Sequence, residues 1–242
     1  MASEINNCML TIVIPVYNRQ DIVNRTLISV ASQTARPLNV ILVDNNSTDN
    51  TLATLSQWKS LVESDDFQIT ILTETQTGAA AARNCGLHNV TTPYVMFFDS
   101  DDEMFPQHVQ RTIDVIDSHP DADIIGWDVE IINLDGTSQR HSFSDKDIAF
   151  RHIFNCSLAT QRYAVKSSFI RKVGQWNPSV MGWNDYELGV RLILNRPKVH
   201  YIKGKPTVLI HRQADSITGT NYSSTPDKWE IALEFCLNDS LK

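Results

Sequence analysis

Met9-Leu10-Thr11-Ile12-Val13-Ile14-Pro15-Val16 is the stretch on which the fold turns. Its apolar residues run on without the alternation of a half-solvated strand, so it reads as a strand buried on both faces of a parallel sheet. Outward from it, Asp21 to Gln33 carries Ile22, Leu27, Val30 and Ala31 near helical spacing. Leu38 to Val43 is a second strand, and Ser47-Thr48-Asp49 offers caps for a helix running to about Val62. Gln68 to Leu72 is a third strand, Gly78 to Leu87 an alanine-rich helix, and Pro93 to Phe98 a fourth strand. Strands and helices in this alternation predict right-handed crossovers and a mostly parallel, doubly wound α/β sheet with helices on both faces.

The second half changes character. Asp123 to Asn133 is strand-like, and Asp135-Gly136 is a turn leading to Ser138–Phe143. The pair predicts an antiparallel hairpin added beside the parallel sheet. Short helices are expected over 150–154 and 166–173, the latter stopped by Gly174. A firmer helix spans 185–194, with Asp185 as N-cap and Leu188, Leu192 and Ile193 on one face. A last strand over 208–210 and a helix over 227–237 complete the reading. Repeats and low-complexity linkers are lacking, and a single domain over 1–242 is expected, with a nucleotide-binding half at 9–102 and an acceptor-binding half at 103–242.

Composition narrows the class. The 242 residues, 42% hydrophobic with five tryptophans, suffice for a substantial core. The net charge of −7 argues against nucleic acid as a partner. Cys8, Cys85, Cys156 and Cys236 are too dispersed for a zinc site or a disulfide framework. With neither an apolar run of membrane-spanning length nor a leader-like N-terminus, a cytoplasmic protein is expected, its loose attachment to the inner face of a membrane left open.

Open parallel sheets bind ligands beyond the carboxyl ends of their strands. Three such ends are chemically loaded: Pro15-Val16-Tyr17-Asn18, Asp44-Asn45-Asn46-Ser47 and Asp99-Ser100-Asp101-Asp102. Carboxylates at the exit of a buried strand are costly unless a cation meets them, and a hard divalent ion gripping substrate phosphates does so. Tyr17 either stacks a base or packs beside the sheet. Asp44 either accepts a base N–H or caps a turn. Asp99 and Asp101 either hold ribose and a metal-bound diphosphate or, within the run Asp99 to Asp102, are solvated turn residues capping the next helix. Gly78 opens a helix whose free N–H groups suit an anion, with Arg83 one turn in; both also read as core packing and a surface ion pair.

Taken together, these segments, with Ala82-Arg83-Asn84-Cys85-Gly86-Leu87 between them, resemble family 2 glycosyltransferases in order and spacing. The resemblance is dense over the first half and thinner beyond. It implies a GT-A (Rossmann-like) fold and inverting transfer of a hexose from a nucleotide diphosphate-sugar, a UDP-sugar being favoured. The acceptor it leads one to expect is a saccharide such as a growing surface polysaccharide, a lipid-linked molecule or a protein, as in surface polysaccharide or glycan biosynthesis. By that resemblance Pro15, Tyr17, Asp44, Arg83 and Asp99 contact the donor, and Asp101 ligates Mn2+ or Mg2+. Gly182-Trp183-Asn184-Asp185 resembles the family's Glu-Asp motif, which makes Asp185 the general base and Trp183 and Asn184 acceptor-side residues.

The chain departs from that pattern in three places: Asn184 stands where glutamate is usual, Asn45-Asn46 replaces Asp-Gly, and His211-Arg212-Gln213-Ala214-Asp215-Ser216 follows the family's Arg- and His-containing segment only loosely. His211 is open between a diphosphate contact and a structural role. Trp127, Trp176 and Trp183 are candidates for a sugar platform or for core, and 136–146 for a lid or a passive loop. Two other functions remain in view. One is a non-catalytic nucleotide- or glycan-binding module. The other is a sugar nucleotidylyltransferase, disfavoured because Tyr17-Asn18-Arg19-Gln20 lacks the glycines a triphosphate loop needs.

Overall fold

A computed structural model describes residues 8–213 and 226–240. The first half follows the expected alternation: β1 (Leu10–Val16), α1 (Val23–Ala31), β2 (Leu38–Asp44), α2 (Thr51–Val62), β3 (Phe67–Thr73), α3 (Ala79–His88) and β4 (Tyr94–Phe97). After the short β5 (Glu103–Met104) come α4 (His108–Ser118), β6 (Ile124–Trp127), β7 (Val129–Ile132), β8 (Ser138–His141) and α5 (Ile148–Asn155). The chain then passes through a 3-10 turn at Thr160–Arg162, β9 (Tyr163–Lys166), α6 (Ser167–Val173), α7 (Asn184–Leu194), β10 (Val199–Ile202), β11 (Val208–His211) and α8 (Pro226–Ser240).

Seven strands form the main sheet in the order β10-β6-β9-β4-β1-β2-β3. β1 is parallel to β2 and β4, and β2 to β3, while β9 alone is antiparallel to both of its neighbours. β1 is buried throughout: Ile12 and Ile14 enter the apolar cluster on one side of the sheet and Val13 the cluster on the other. α3 lies close on this centre because Gly86 has no side chain; a Cβ there would stand 2.4 Å from Val13 Cγ1 and 3.2 Å from Val43 Cγ2.

The second half differs from the sequence reading in instructive ways. The strand-like run 123–133 breaks at Asp128. That carboxylate is buried, accepts the Phe143 amide at 2.7 Å and pairs with Arg140. β6 therefore stays in the main sheet, whereas β7 and β8 join a second sheet ordered β5-β11-β7-β8. The expected hairpin exists but does not extend the parallel sheet. The stretch 136–146 is tied down rather than lid-like, by the Arg140–Asp128 pair and by Phe143, which is buried where Gly126 leaves space for its ring. β9 and β10 are absent from the sequence reading. Each is four residues long, too short to display a period, and β9 runs directly into α6.

Gly86→Ala forces a methyl group into the branched side chain of Val13, so it is expected to destabilise the protein by about 1–3 kcal/mol. A lower urea midpoint at unchanged m-value checks it.

Candidate active site

The loops after β1 and β2 are stitched together. Val16 and Asp44 are register partners at the strand ends. Asn18 takes a left-handed φ of 49°, its amide donates to Ser47 Oγ at 3.0 Å, and its Oδ1 accepts the Thr48 amide at 2.8 Å. Just before it, Pro15 is half-buried opposite Val43, and the Tyr17 ring is 51% exposed. Asp44 is buried. Its Oδ2 accepts the Ser47 amide at 3.2 Å, but its Oδ1 is buried with no hydrogen-bond partner among the described residues. A buried carboxylate oxygen left without a donor is costly, and a ligand N–H relieves it.

Asn45 explains its own departure from the usual motif. It donates to the carbonyls of Glu74 and Gln76 at 2.9 and 2.7 Å and accepts the Gly78 amide at 2.8 Å. An ionised aspartate only accepts, so it would lose two of these three bonds. Asn46 sits at φ 61°, a conformation that glycine also tolerates. The Gly78 N–H is thereby committed to Asn45 rather than left for an anion.

Arg83 is the centre of the site. It is buried, stacks 4.5 Å above the Trp176 ring, and donates to Asp99 Oδ1 at 2.7 Å and Asn184 Oδ1 at 3.1 Å. Trp176 is thus core beneath the cation, and Trp127 is equally buried, so neither is a sugar platform. Trp183 is half-exposed and lies near Tyr186, with ring centres 5.2 Å apart. Its backbone, at φ 56°, occupies the N-cap position expected for Asp185. Asp185 lies one residue inside α7, where its Oδ1 accepts the Tyr186 amide at 2.9 Å. Burial raises its pKa, and the charge of Arg83 draws it back down.

Sequence reasoning missed Gln161. From the 3-10 turn its Nε2 donates to Asp99 and, at 2.7 Å, to Asp102 Oδ2. Asp102 is turned inward, with its Oδ1 accepting the His211 amide at 2.8 Å. It serves the scaffold, and burial together with the charges of Asp99 and Asp101 holds its pKa well up. A lone glutamine far along the chain carries no spacing signal that could have revealed this. Burial, with the Asp99 charge second, pushes Asp101 up to about 6, against the opposing pull of Arg19 and Arg25. The His211 ring faces Glu103 Oε1 at 2.8 Å, which makes its visible role structural; Ala214 to Ser216 lie outside the described residues.

Among the described residues, no three His, Cys, Asp or Glu side chains are gathered into a cage for a metal. Magnesium-type sites commonly use one or two carboxylates and complete their shell with substrate phosphate and water. Asp101, whose charge the neighbouring Asp99 makes costlier, fits such a site with Asp99 beside it.

The model of the family described as "Glycosyl transferase family 2" matches residues 11–174. This chain belongs to glycosyl transferase family 2. An uncharacterized glycosyltransferase of Haemophilus influenzae is 26% identical over 190 residues, covering 76% of this chain and 62% of the relative. A second, from Rickettsia prowazekii, is 24% identical, covering 78% and 59%. The chain thus spans about three-fifths of the length of these relatives. Its fold is that of Staphylococcus aureus TarS 1–349, solved in complex with UDP-GlcNAc (TM-score 0.75, 18% identity, 92% of this chain, 64% of that one). A Pyrobaculum calidifontis mannosyltransferase in complex with GDP-Man and Mn2+ also aligns (TM-score 0.65, 17% identity, 96% and 64%). These likenesses establish the GT-A fold. No described helix is long and apolar enough to cross a membrane.

The carboxyl cluster has a pH signature. An aspartate with a raised folded-state pKa keeps a proton that the unfolded chain has already released, so stability falls as pH climbs from about 4 to about 6. Urea unfolding at several pH values is expected to show this slope in the metal-free protein and a shallower one in Asp101→Asn.

Proposed function

We propose that this chain transfers a sugar from a nucleoside diphosphate-sugar to an acceptor hydroxyl with inversion, in the assembly of a surface glycan. The observation that carries the reading is the Arg83 bridge, which couples the Asp99 loop to the helix bearing Asp185. The unpartnered Asp44 Oδ1 supports a donor base with an imide N–H, and Tyr17 supplies an exposed ring on which to stack it. UDP and UDP-GlcNAc in complexes of TarS make a uridine nucleotide the first choice.

Asp185 is the general base in this reading. It takes the proton of the acceptor hydroxyl as the oxygen bonds to the anomeric carbon, and the bond from that carbon to the diphosphate breaks with its electron pair on the departing phosphate. Its raised pKa suits the role, since a base works best with a pKa near the operating pH. Asp101, with Asp99 beside it, would hold Mg2+ or Mn2+, which neutralises charge on the leaving diphosphate. Arg83 fixes Asp99 and adds a cation close to the same groups. Trp183 stands at the acceptor side, whereas the Asn184 carbonyl is taken by Arg83, so its proposed acceptor contact falls to its Nδ2 group.

Asp185→Asn is expected to fold, to bind UDP with near-normal affinity, and to lose about 10²–10⁴ in transfer rate. Turnover of UDP-sugars in the presence of Mn2+ measures it, and near-normal transfer would remove Asp185 from the role. Asp101→Ala is expected to abolish the Mn2+-dependent part of UDP binding by calorimetry. Equal UDP affinity with and without Mn2+ in the unaltered protein would refute the metal role.

A further inference from the structure

The cavity beside Asp185 has an apolar wall. It measures about 340 Å³ and is walled by Ile153, Phe154, Cys156 and Ala159 on one side and by Trp183 and Tyr186 on the other. Among the described residues Asp185 is its one carboxylate and Asn155 its one amide. The wall continues outward along α5. Phe150, Ile153 and Phe154 are 62%, 55% and 67% exposed, and the two phenylalanine rings lie 4.6 Å apart. The opposite side of α5 is anchored. His152 is buried, stacks on Tyr186 with ring centres 4.9 Å apart, and hydrogen-bonds the Tyr186 carbonyl at 2.9 Å. α5 is thus held to the helix of the candidate base by one face and presents large apolar side chains on the other.

Continuity decides what covers this surface. Ile153 and Phe154 belong both to the cavity and to the exposed patch, so the cavity opens onto the patch without a break. A polyhydroxylated ring pressed against the Ile153, Phe154, Cys156 and Ala159 side would leave hydroxyls without partners, each costing about tenfold in affinity. An alkyl chain there loses no hydrogen bonds and gains from leaving water.

We propose that the acceptor is an amphiphile presented at a bilayer surface. Its hydroxyl-bearing head lies at the Asp185 end, and its apolar chain lies along the cavity and out over Ile153, Phe154 and Phe150. This rests on the reading of Asp185 as the base that meets the acceptor, and it adds the acceptor's class.

Calorimetry with UDP and Mn2+ present tests it, using n-octyl β-D-glucopyranoside below its critical micelle concentration against methyl β-D-glucopyranoside. The octyl compound is expected to bind at least about tenfold more tightly. The double variant Ile153→Ser/Phe154→Ser is expected to lose most of that preference, with UDP affinity unchanged. If it fails to fold, Phe150→Ser, outside the cavity, is expected to weaken co-flotation with phosphatidylcholine vesicles. Equal binding of the two glucosides, or a preference surviving the double variant, overturns the proposal. So does octyl preference without vesicle binding by the unaltered protein, which makes the ligand a free amphiphile. A dimer that the double variant dissociates gives the patch to a second copy of the chain and also overturns it. Failure to bind UDP counts against the donor reading alone, because the glucoside comparison can be repeated without nucleotide.

Discussion

A single buried guanidinium holds the two halves of the site in one geometry. Arg83 comes from α3, Asp99 from the exit of β4 and Asn184 from the start of α7, about a hundred residues further on. Burying a cation is costly unless it is paired and hydrogen-bonded, and removing one partner leaves that cost uncompensated. The Trp176 face beneath Arg83 and the Asp99 carboxylate beside it meet the requirement. The price of desolvating the ion is what makes the arrangement specific: any loop position that drew Asp99 or Asn184 away would strand a buried charge.

The sheet supplies the frame for that cation. Central β1 is apolar toward both faces, so helices must cover both, and Gly86 lets α3 settle close enough for Arg83 to reach the β4 exit. The second half then closes the sheet from the other side. β9 enters antiparallel between β4 and β6, and the turn before it delivers Gln161 to Asp99 and Asp102. Asp102 in turn takes the β11 backbone at His211, so the acidic loop is fastened from both the main and the small sheet. Burial first, and the crowding of these carboxylates after it, raises Asp101 and Asp102.

The parallel half of the fold was legible because its strands are buried on both faces and its helices amphipathic, a contrast that survives in local sequence. The later strands were not. β9 and β10 owe their state to neighbours far along the chain, and four residues cannot advertise a period. The same division holds for the site. The residues at strand exits, Asp44, Asp99 and Asp101, stood out because carboxylates after apolar runs are conspicuous. Gln161 and the stacked Trp176 act through tertiary contacts that no spacing encodes, and Trp176 was open between platform and core. Asp185 lies in the helix expected over 185–194 but not at its cap, which the left-handed Trp183 takes.

The amide at Asn184 has an electrostatic consequence. Arg83 and Asp99 cancel, and Asn184 adds nothing, so the cluster is formally neutral. A glutamate in that place would tip the balance to a net anion in a poorly screened interior, where an approaching polyphosphate would feel it strongly. With an amide in that place the Arg83 contact stays neutral, and the acidic residues of the first turn of α7 are Asp185 and the buried, Arg191-paired Glu187.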